Sequence, residues 1–187
     1  NFCYFGHTRL SIIDLQNRSN QPMIDEDNEY VLSFNGEIYN YLNLREKLIN
    51  HGVKFSTASD TEVLLKGFKF FGKSFIQNID GMYAFAVFDI KRKKLLLCRD
   101  RAGEKPLYYI STPNVFIFCS ELKPLLKLSK KINLGLDIGS SDILSEFSSE
   151  TKPRNFAFSI CVDFLKNSFS FKKLRNDVLK ILNKSNF

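Results

Sequence analysis

Three charged positions in the first third of the chain could together hold a free amino acid. Arg9 lies in an otherwise apolar, strand-like stretch, and its planar guanidinium could bind a carboxylate through two hydrogen bonds. The same side chain could equally end a strand with its head in solvent. Glu37 and Asp60 are individually ordinary, because exposed acids and helix caps are common. With Arg9 they would supply one cationic and two anionic contacts, as the carboxylate and ammonium of an α-amino acid require.

The dipeptide Asn35-Gly36 follows a predicted strand and has two interpretations. After a strand, Asn-Gly most often forms a tight turn. Alternatively, a side-chain amide and a backbone N–H held by the glycine could both point at a developing negative oxygen, as an oxyanion site requires. The residues alone leave both interpretations open.

The segments around these residues alternate between strand and helix patterns. Residues 30–34 are rich in β-branched and aromatic side chains and predict a strand. A first helix should end at His51-Gly52, and a second should begin near Asp60 and end at Gly72, with Ser59 or Asp60 as its cap. The apolar positions predicted for the two helices are Leu42, Leu44, Leu48 and Ile49 in the first, and Val63, Leu64, Gly67, Phe68 and Phe71 in the second.

A run of strands follows the two helices. Residues 82–88 and 94–98 are dense in apolar side chains and flank a charged, turn-like segment, which predicts a hairpin. Residues 107–110 and 115–119 predict two further strands. Strand, two helices and then several strands favour an α+β layered domain over a parallel βαβ sheet. Beyond a polar linker, residues 156–164 show a strand pattern and residues 174–182 a helical one.

Composition excludes several functions. The net charge is +7, but eight Lys or Arg against two Asp give residues 151–187 a balance of +6, so the main domain is close to neutral and nucleic-acid binding is disfavoured there. No apolar run approaches the roughly 20 residues that span a bilayer. The four cysteines (Cys3, Cys98, Cys119 and Cys161) form no CxxC pair, which disfavours zinc and suits thiols in a reducing cytoplasm.

The ordered motifs resemble the glutamine-hydrolysing domain of asparagine synthetases, a class II glutamine amidotransferase. The first is Gly6-His7-Thr8-Arg9-Leu10-Ser11-Ile12-Ile13-Asp14, similar to that family's GHxRLSIxD pattern, and the second is Asn35-Gly36-Glu37-Ile38-Tyr39-Asn40. Those that follow in the family's order include Ser59-Asp60-Thr61-Glu62-Val63, Gly81-Met82-Tyr83-Ala84-Phe85-Ala86, Arg99-Asp100-Arg101-Ala102-Gly103 and Lys105-Pro106-Leu107-Tyr108-Tyr109. So many ordered motifs exceed what chance produces.

The resemblance implies a site for glutamine. Arg9 would bind its α-carboxylate, with Ile12 and Ile13 lining the pocket, and Glu37 and Asp60 would hold its α-ammonium. Asn35 and Gly36 would form the oxyanion hole. Arg99-Asp100-Arg101 would support structure near the site or face the partner domain, and would carry no catalytic role. The implied fold is the four-layer αββα sandwich of antiparallel sheets found in N-terminal-nucleophile hydrolases.

The resemblance also sets expectations about the rest of the protein. Its nucleophile is an N-terminal Cys well before the Gly-His-x-Arg segment, and Cys3 does not fit because it lies beside that segment with its amine in a peptide bond. We therefore expect a truncated domain over residues 1–128 without its first strand, followed by a divergent linker or basic tail over 129–187. No cofactor is expected in this domain. ATP and Mg²⁺ would belong to a separate synthetase domain, with a homodimer expected for the whole protein.

Three functional hypotheses remain from the sequence. The first is a cytoplasmic glutaminase domain that supplies ammonia for ATP-dependent amidation of aspartate or, in a related enzyme, of another carboxylic acid. The second is a remnant that binds glutamine or a partner and turns nothing over. The third is a nucleic-acid or membrane-surface binder acting through the basic, Phe-rich tail.

Overall fold

The computed structural model describes residues 3–8, 13–14, 16–111 and 116–131, with side chains up to residue 129. The chain divides into two compact units, and the described part of the first extends from Cys3 to Pro106. The described part of this unit contains four strands and two α-helices. They are β1 (Met23–Ile24), β2 (Tyr30–Ile38), α1 (Tyr41–Asn50), α2 (Asp60–Phe71), β3 (Gly81–Asp89) and β4 (Lys94–Arg99), with 3₁₀ helices at Asn17–Ser19 and Gly72–Asn78.

The four strands form one antiparallel sheet in the order β1-β2-β3-β4. Strands β2 and β3 pair along their full nine-residue lengths, from Tyr30 opposite Asp89 to Ile38 opposite Gly81. The predicted hairpin over residues 82–98 is confirmed as β3 and β4. The antiparallel sheet with its sequential helices confirms the predicted α+β class.

Two glycines let β2 and β3 come close together at one end. A Cβ on Gly36 would lie 2.1 Å from the carbonyl oxygen of Met82, and a Cβ on Gly81 would lie 2.2 Å from that of Glu37. The turn interpretation of Asn35-Gly36 is therefore wrong, because β2 continues through both residues to Ile38. Gly36 allows β2 and β3 to pair closely, and this long-range requirement places a glycine where the sequence alone suggests a turn.

One face of the sheet packs on α1 and α2. Alternate residues of β2 and β3 form a continuous core with both helices. Leu44 and Leu48 of α1 are buried as predicted, but Leu42 and Ile49 are 62% and 51% exposed, which corrects their assignment to the apolar face. The main core members are Leu32, Phe34, Ile38, Leu44, Leu48, Val63, Leu64, Tyr83, Phe85 and Val87.

Helix α2 begins and ends where the sequence indicates. The Ser59 hydroxyl accepts a hydrogen bond from the backbone N–H of Glu62 at 3.2 Å, which is an N-cap. At the other end Gly72 has a φ of 63°, the left-handed conformation that favours glycine. Of the predicted apolar face, Val63, Leu64 and Gly67 are buried, Phe68 is half-buried and Phe71 is 40% exposed.

The described part of the second unit is small. It comprises β5 (Tyr108–Ser111), β6 (Phe116–Cys119) and α3 (Leu122–Lys131), with the two strands paired antiparallel. The patterns predicted over 156–164 and 174–182 lie outside the described residues, and the boundary at residue 128 stays a prediction. Across the described helices, none is long and apolar enough to cross a membrane.

Candidate functional site

The end of β2 and the start of α2 meet through a carboxylate. Asp60 Oδ2 accepts a hydrogen bond from the backbone N–H of Ile38 at 3.2 Å, and Asp60 Oδ1 accepts one from Thr61 N at 2.8 Å. Asn35, Gly36 and Glu37 directly precede Ile38 on β2. The structure therefore brings four of the predicted site residues together at one end of the sheet. Arg9 and Ile12 lie outside the described residues, and Ile13 is half-buried.

Asp60 is a buried acid whose charge the protein leaves partly uncompensated. The residue is 5% exposed. Burial raises the pKa of its carboxyl above the ordinary value of 3.8, and the nearby charge of Glu37 raises this pKa further, against the lowering effect of the hydrogen bonds from Ile38 and Thr61. A cation bound beside Asp60 and Glu37 would relieve both effects, because it would favour the ionised form.

The side chains of Asn35 and Glu37 project from one face of β2. Side chains alternate along a strand, so these two residues share the face opposite to the core residues Phe34 and Ile38. Both residues are half-buried. An amide, two carboxylates and the backbone of Gly36 therefore lie within a short stretch of structure.

The loop before Asp60 is fixed by a second acid, Glu62. Its carboxylate accepts hydrogen bonds from Ser56 N (2.9 Å), Thr57 N (2.6 Å) and the Thr57 hydroxyl (2.7 Å), and it pairs with Lys66 Nζ at 3.2 Å. Although burial alone would raise the pKa of Glu62, these donors lower it below its ordinary value. Glu62 is thus a structural anion that sets the position of the loop carrying Asp60.

His7 and Asp14, two described residues that flank Arg9 in the chain, make long-range contacts. On one side, His7 Nδ1 lies 3.1 Å from Ser33 Oγ, two residues before Asn35 on the same strand. On the other side, Asp14 Oδ2 accepts a hydrogen bond from Ala58 N at 2.9 Å, two residues before Asp60. These contacts connect the two residues to both parts of the candidate site.

A third buried acid, Asp100, holds the loop after β4 against β3. Its carboxylate accepts hydrogen bonds from Tyr83 N (3.2 Å), Glu104 N (2.9 Å) and Lys105 N (3.0 Å). Arg99 Nε donates to the carbonyl of Lys105 at 2.6 Å. Since Tyr83 is opposite Gly36 in the sheet, this loop reinforces the strand pair at the site. The contacts are those of structural support.

The acids and the histidine that hold these loops were not predicted as site residues. Glu62 could have been recognised as the fourth residue of a Ser-x-x-Glu capping pattern beginning at Ser59. No local pattern indicates the long-range partners of His7, Asp14 or Asp100.

The cysteines of the described residues are poorly suited to nucleophilic attack. Burial raises the pKa of the Cys3 thiol to about 11 and that of Cys98 to about 12. Burial likewise raises the pKa of Cys119. At neutral pH these residues are thiols, and a thiolate is the form that attacks.

An acidic cluster on the β1–β2 turn has a different role. Asp25, Asp27 and Glu29 could by their spacing approach a metal ion, but the ammonium of Lys69 already pairs with Asp25 at 2.7 Å and contacts Asp27. Asp25 also accepts hydrogen bonds from the backbone N–H groups of Glu29 (2.8 Å) and Tyr30 (2.6 Å). The cluster is satisfied by the protein itself.

Comparison with known proteins identifies the family of the chain. The glutamine amidotransferase domain family matches residues 1–168. A putative glutamine-hydrolysing asparagine synthetase 2 of Methanocaldococcus jannaschii is 42% identical over 150 residues, covering 71% of this chain and 28% of that protein. The glutamine-hydrolysing asparagine synthetase 1 of Bacillus subtilis is 42% identical over 130 residues, covering 70% of this chain and 20% of that protein. The chain thus spans less than a third of the length of these relatives.

Among solved structures, the glutamine phosphoribosylpyrophosphate amidotransferase from B. subtilis is similar, with a TM-score of 0.52 and 26% identity over 62% of this chain and 27% of that one. This likeness confirms the predicted N-terminal-nucleophile type of α+β fold. The family match, the relatives and the fold agree with one another, and the chain belongs to the glutamine amidotransferase domain family.

Proposed function

We propose that this chain forms the glutamine-binding part of a glutaminase that supplies ammonia within a glutamine-dependent asparagine synthetase. The observation that carries the proposal is the buried carboxylate of Asp60, joined to the end of β2 and placed beside Glu37. The similarity to asparagine synthetases supports the same choice.

Asp60 and Glu37 are proposed to bind the α-ammonium group of glutamine. Two carboxylates close enough for the charge of Glu37 to raise the pKa of Asp60, one of them buried, would favour a bound cation. Hydrogen bonds from Ile38 and Thr61 fix the orientation of Asp60 before a ligand arrives. Such preorganisation reduces the entropy lost on binding.

Arg9 is proposed to bind the α-carboxylate, with Ile12 and Ile13 beside it. The flanking contacts of His7 with Ser33 and of Asp14 with Ala58 support this role, because they tie the segment to the strand of Asn35 and to the loop of Asp60. The Asn35 amide and the Gly36 N–H are proposed to stabilise the oxyanion that develops on the substrate amide.

In this reaction a thiolate attacks the amide carbon, ammonia leaves, and water releases glutamate from the acyl-enzyme. The raised pKa of the thiols of Cys3 and Cys98 argues against either of them as that nucleophile. The residues described above would therefore bind and orient glutamine and stabilise developing charge. ATP, Mg²⁺ and the acceptor acid (aspartate or a related carboxylic acid) are assigned to a synthetase domain, with a homodimer as the proposed assembly.

A cytoplasmic location belongs to the same proposal. Cys3, Cys98 and Cys119 are all free thiols, as expected in a reducing compartment.

Binding of L-glutamine to the purified chain, measured by calorimetry or NMR titration, tests the pocket. Glu37→Gln should weaken binding about tenfold, because one of the two anionic contacts loses its charge. Glu46→Gln on the exposed surface of α1 is the matched control and should change nothing. Equal affinity of the Glu37→Gln chain and the unaltered chain would refute the assignment of the ammonium site.

Release of glutamate separates the glutaminase from a binding remnant. The remnant hypothesis predicts that the purified 187-residue chain binds glutamine and releases no glutamate. Turnover by this chain that Arg9→Ala abolishes would overturn the remnant hypothesis and assign catalysis to residues within the chain.

A further inference from the structure

Asp14 connects two segments that are far apart in the chain. Its Oδ2 accepts a hydrogen bond from Ala58 N at 2.9 Å across 44 positions, and its Oδ1 accepts one from Gln16 N at 3.2 Å. The Asp14 side chain is 4% exposed, whereas its partners Ala58 and Gln16 are exposed residues, so both contacts lie at the protein surface. Hydrogen bonds to a carboxylate are about twice as strong as neutral ones.

In the proposed function, the two connected segments adjoin residues assigned to opposite ends of glutamine. Asp14 follows Ile13 directly and lies five residues after Arg9, on the side assigned to the α-carboxylate of glutamine. Ala58 lies two residues before Asp60, on the side assigned to the α-ammonium. The contact between Asp14 and Ala58 therefore joins the segment after Arg9 to the loop before Asp60.

The backbone at Asp14 supports a specific role. The backbone φ of Asp14 is 50°, in the left-handed region that residues other than glycine adopt uncommonly. The hydrogen bond from Ala58 is the leading cause of the lowered pKa of the Asp14 carboxyl, ahead of the charge of Arg18. Arg18 lies 3.6 Å away with half of its side chain exposed, and it is a secondary partner.

The geometry points to Asp14 as a positioning residue that fixes the segment following Arg9 against the loop that leads to Asp60, and through this contact supports binding of glutamine by both its α-carboxylate and its α-ammonium. The inference rests on the proposed function. Asp14 touches no substrate. It acts through Ala58. A ligand that carries both the α-carboxylate and the α-ammonium group should therefore bind more tightly than a ligand that carries one of them.

Three ligands and two variants of Asp14 test this role. The ligands are L-glutamine, glutaric acid monoamide (which lacks the ammonium group) and 4-aminobutanamide (which lacks the carboxylate). Dissociation constants are measured by NMR titration for the unaltered chain, Asp14→Asn and Asp14→Glu, and unfolding is followed in parallel. Arg18→Ala is the control, because it removes the ion pair and leaves the hydrogen bond from Ala58 in place.

We expect Asp14→Asn to weaken L-glutamine binding about tenfold, the scale of a lost charged hydrogen bond. Binding of glutaric acid monoamide and of 4-aminobutanamide should weaken less than about threefold. Asp14→Glu should act in the same direction, since its carboxylate is displaced by one methylene. Arg18→Ala should leave all three affinities within about twofold.

Three results would overturn the inference. Parallel weakening of all three ligands, or loss of the fold in both Asp14 variants, would assign Asp14 to general stability. Unchanged glutamine affinity in Asp14→Asn would show that the contact is unnecessary. A failure of the unaltered chain to bind L-glutamine is a different result, because it would refute the proposed function.

Discussion

Asp60 and Glu62 are separated by one residue at the start of α2, and both are buried, yet they have opposite electrostatic surroundings. Glu62 receives donors from Ser56, Thr57 and Lys66, and its pKa is lowered. Asp60 accepts hydrogen bonds from the backbone of Ile38 and Thr61, but burial and, to a smaller extent, the charge of Glu37 raise its pKa. A carboxylate that the protein has already satisfied serves the fold, whereas one left with excess negative charge can serve a cationic ligand.

The largest effect on stability is expected when Glu62, whose carboxylate is fully hydrogen-bonded, is changed. Glu62→Gln should lower the free energy of unfolding by about 3 kcal/mol, because an amide offers one acceptor oxygen where several donors converge and leaves Lys66 without its partner. Urea denaturation measures this change, with Glu46→Gln on exposed α1 as the control. A loss below about 1 kcal/mol would contradict the structural role of Glu62.

Substitution of Asp60 should reduce ligand affinity and leave the stability of the fold nearly unchanged. Asp60→Asn should reduce L-glutamine affinity about 30-fold, since the α-ammonium loses its buried anion. The free energy of unfolding should change by less than about 1 kcal/mol, because removal of a buried charge offsets the altered hydrogen bonds to Ile38 and Thr61. If Asp60→Asn unfolds as readily as Glu62→Gln while binding glutamine normally, the comparison fails.

A pH titration distinguishes the two acids without mutation. The folded-state pKa of Asp60 is raised, so ionisation of Asp60 destabilises the free protein as pH rises from 3.8 through that raised pKa. Glutamine affinity should rise over the same window, by up to about tenfold per pH unit, because the ligand prefers ionised Asp60. Calorimetric titrations at several pH values measure this slope, which should disappear in Asp60→Asn.

The lowered pKa of Glu62 gives the reverse sign for stability. Its contribution to stability is fully present above the ordinary value of 4.5 and is lost as pH falls through the folded-state pKa.

A glutamine affinity that does not vary with pH above 3.8 would remove Asp60 from the ammonium site.

The smallest effect concerns the partner of Glu62. Lys66→Met should lower the free energy of unfolding by less than about 1 kcal/mol, because the Ser56 and Thr57 donors continue to hold the carboxylate. Thermal unfolding of this variant beside Glu62→Gln measures the difference. Similar losses in both variants would show that Glu62 depends chiefly on the lysine.

Local chemistry made much of the fold predictable. Ser59 before Asp60 and Glu62 indicates a helix start, and dense apolar runs on either side of a charged turn indicate the β3–β4 hairpin. The prediction of a turn at Asn35-Gly36 was wrong. In a sequence, a glycine required for close pairing with β3 cannot be told apart from a glycine required for a turn. The sequence pattern also failed at Leu42 and Ile49, since their burial depends on what packs against α1.

The sequence by itself determined the family and the residue types of the candidate site, because ordered motifs carry that information without coordinates. It also indicated that Glu37 and Asp60 could act together. The tertiary structure decided that β2 continues through Asn35-Gly36, that Asp60 joins Ile38, and that Asp14 reaches Ala58 across 44 residues. Glu62 and Asp60 are both acids near a helix start, and their different roles follow from the donors and charges that folding places around each carboxylate.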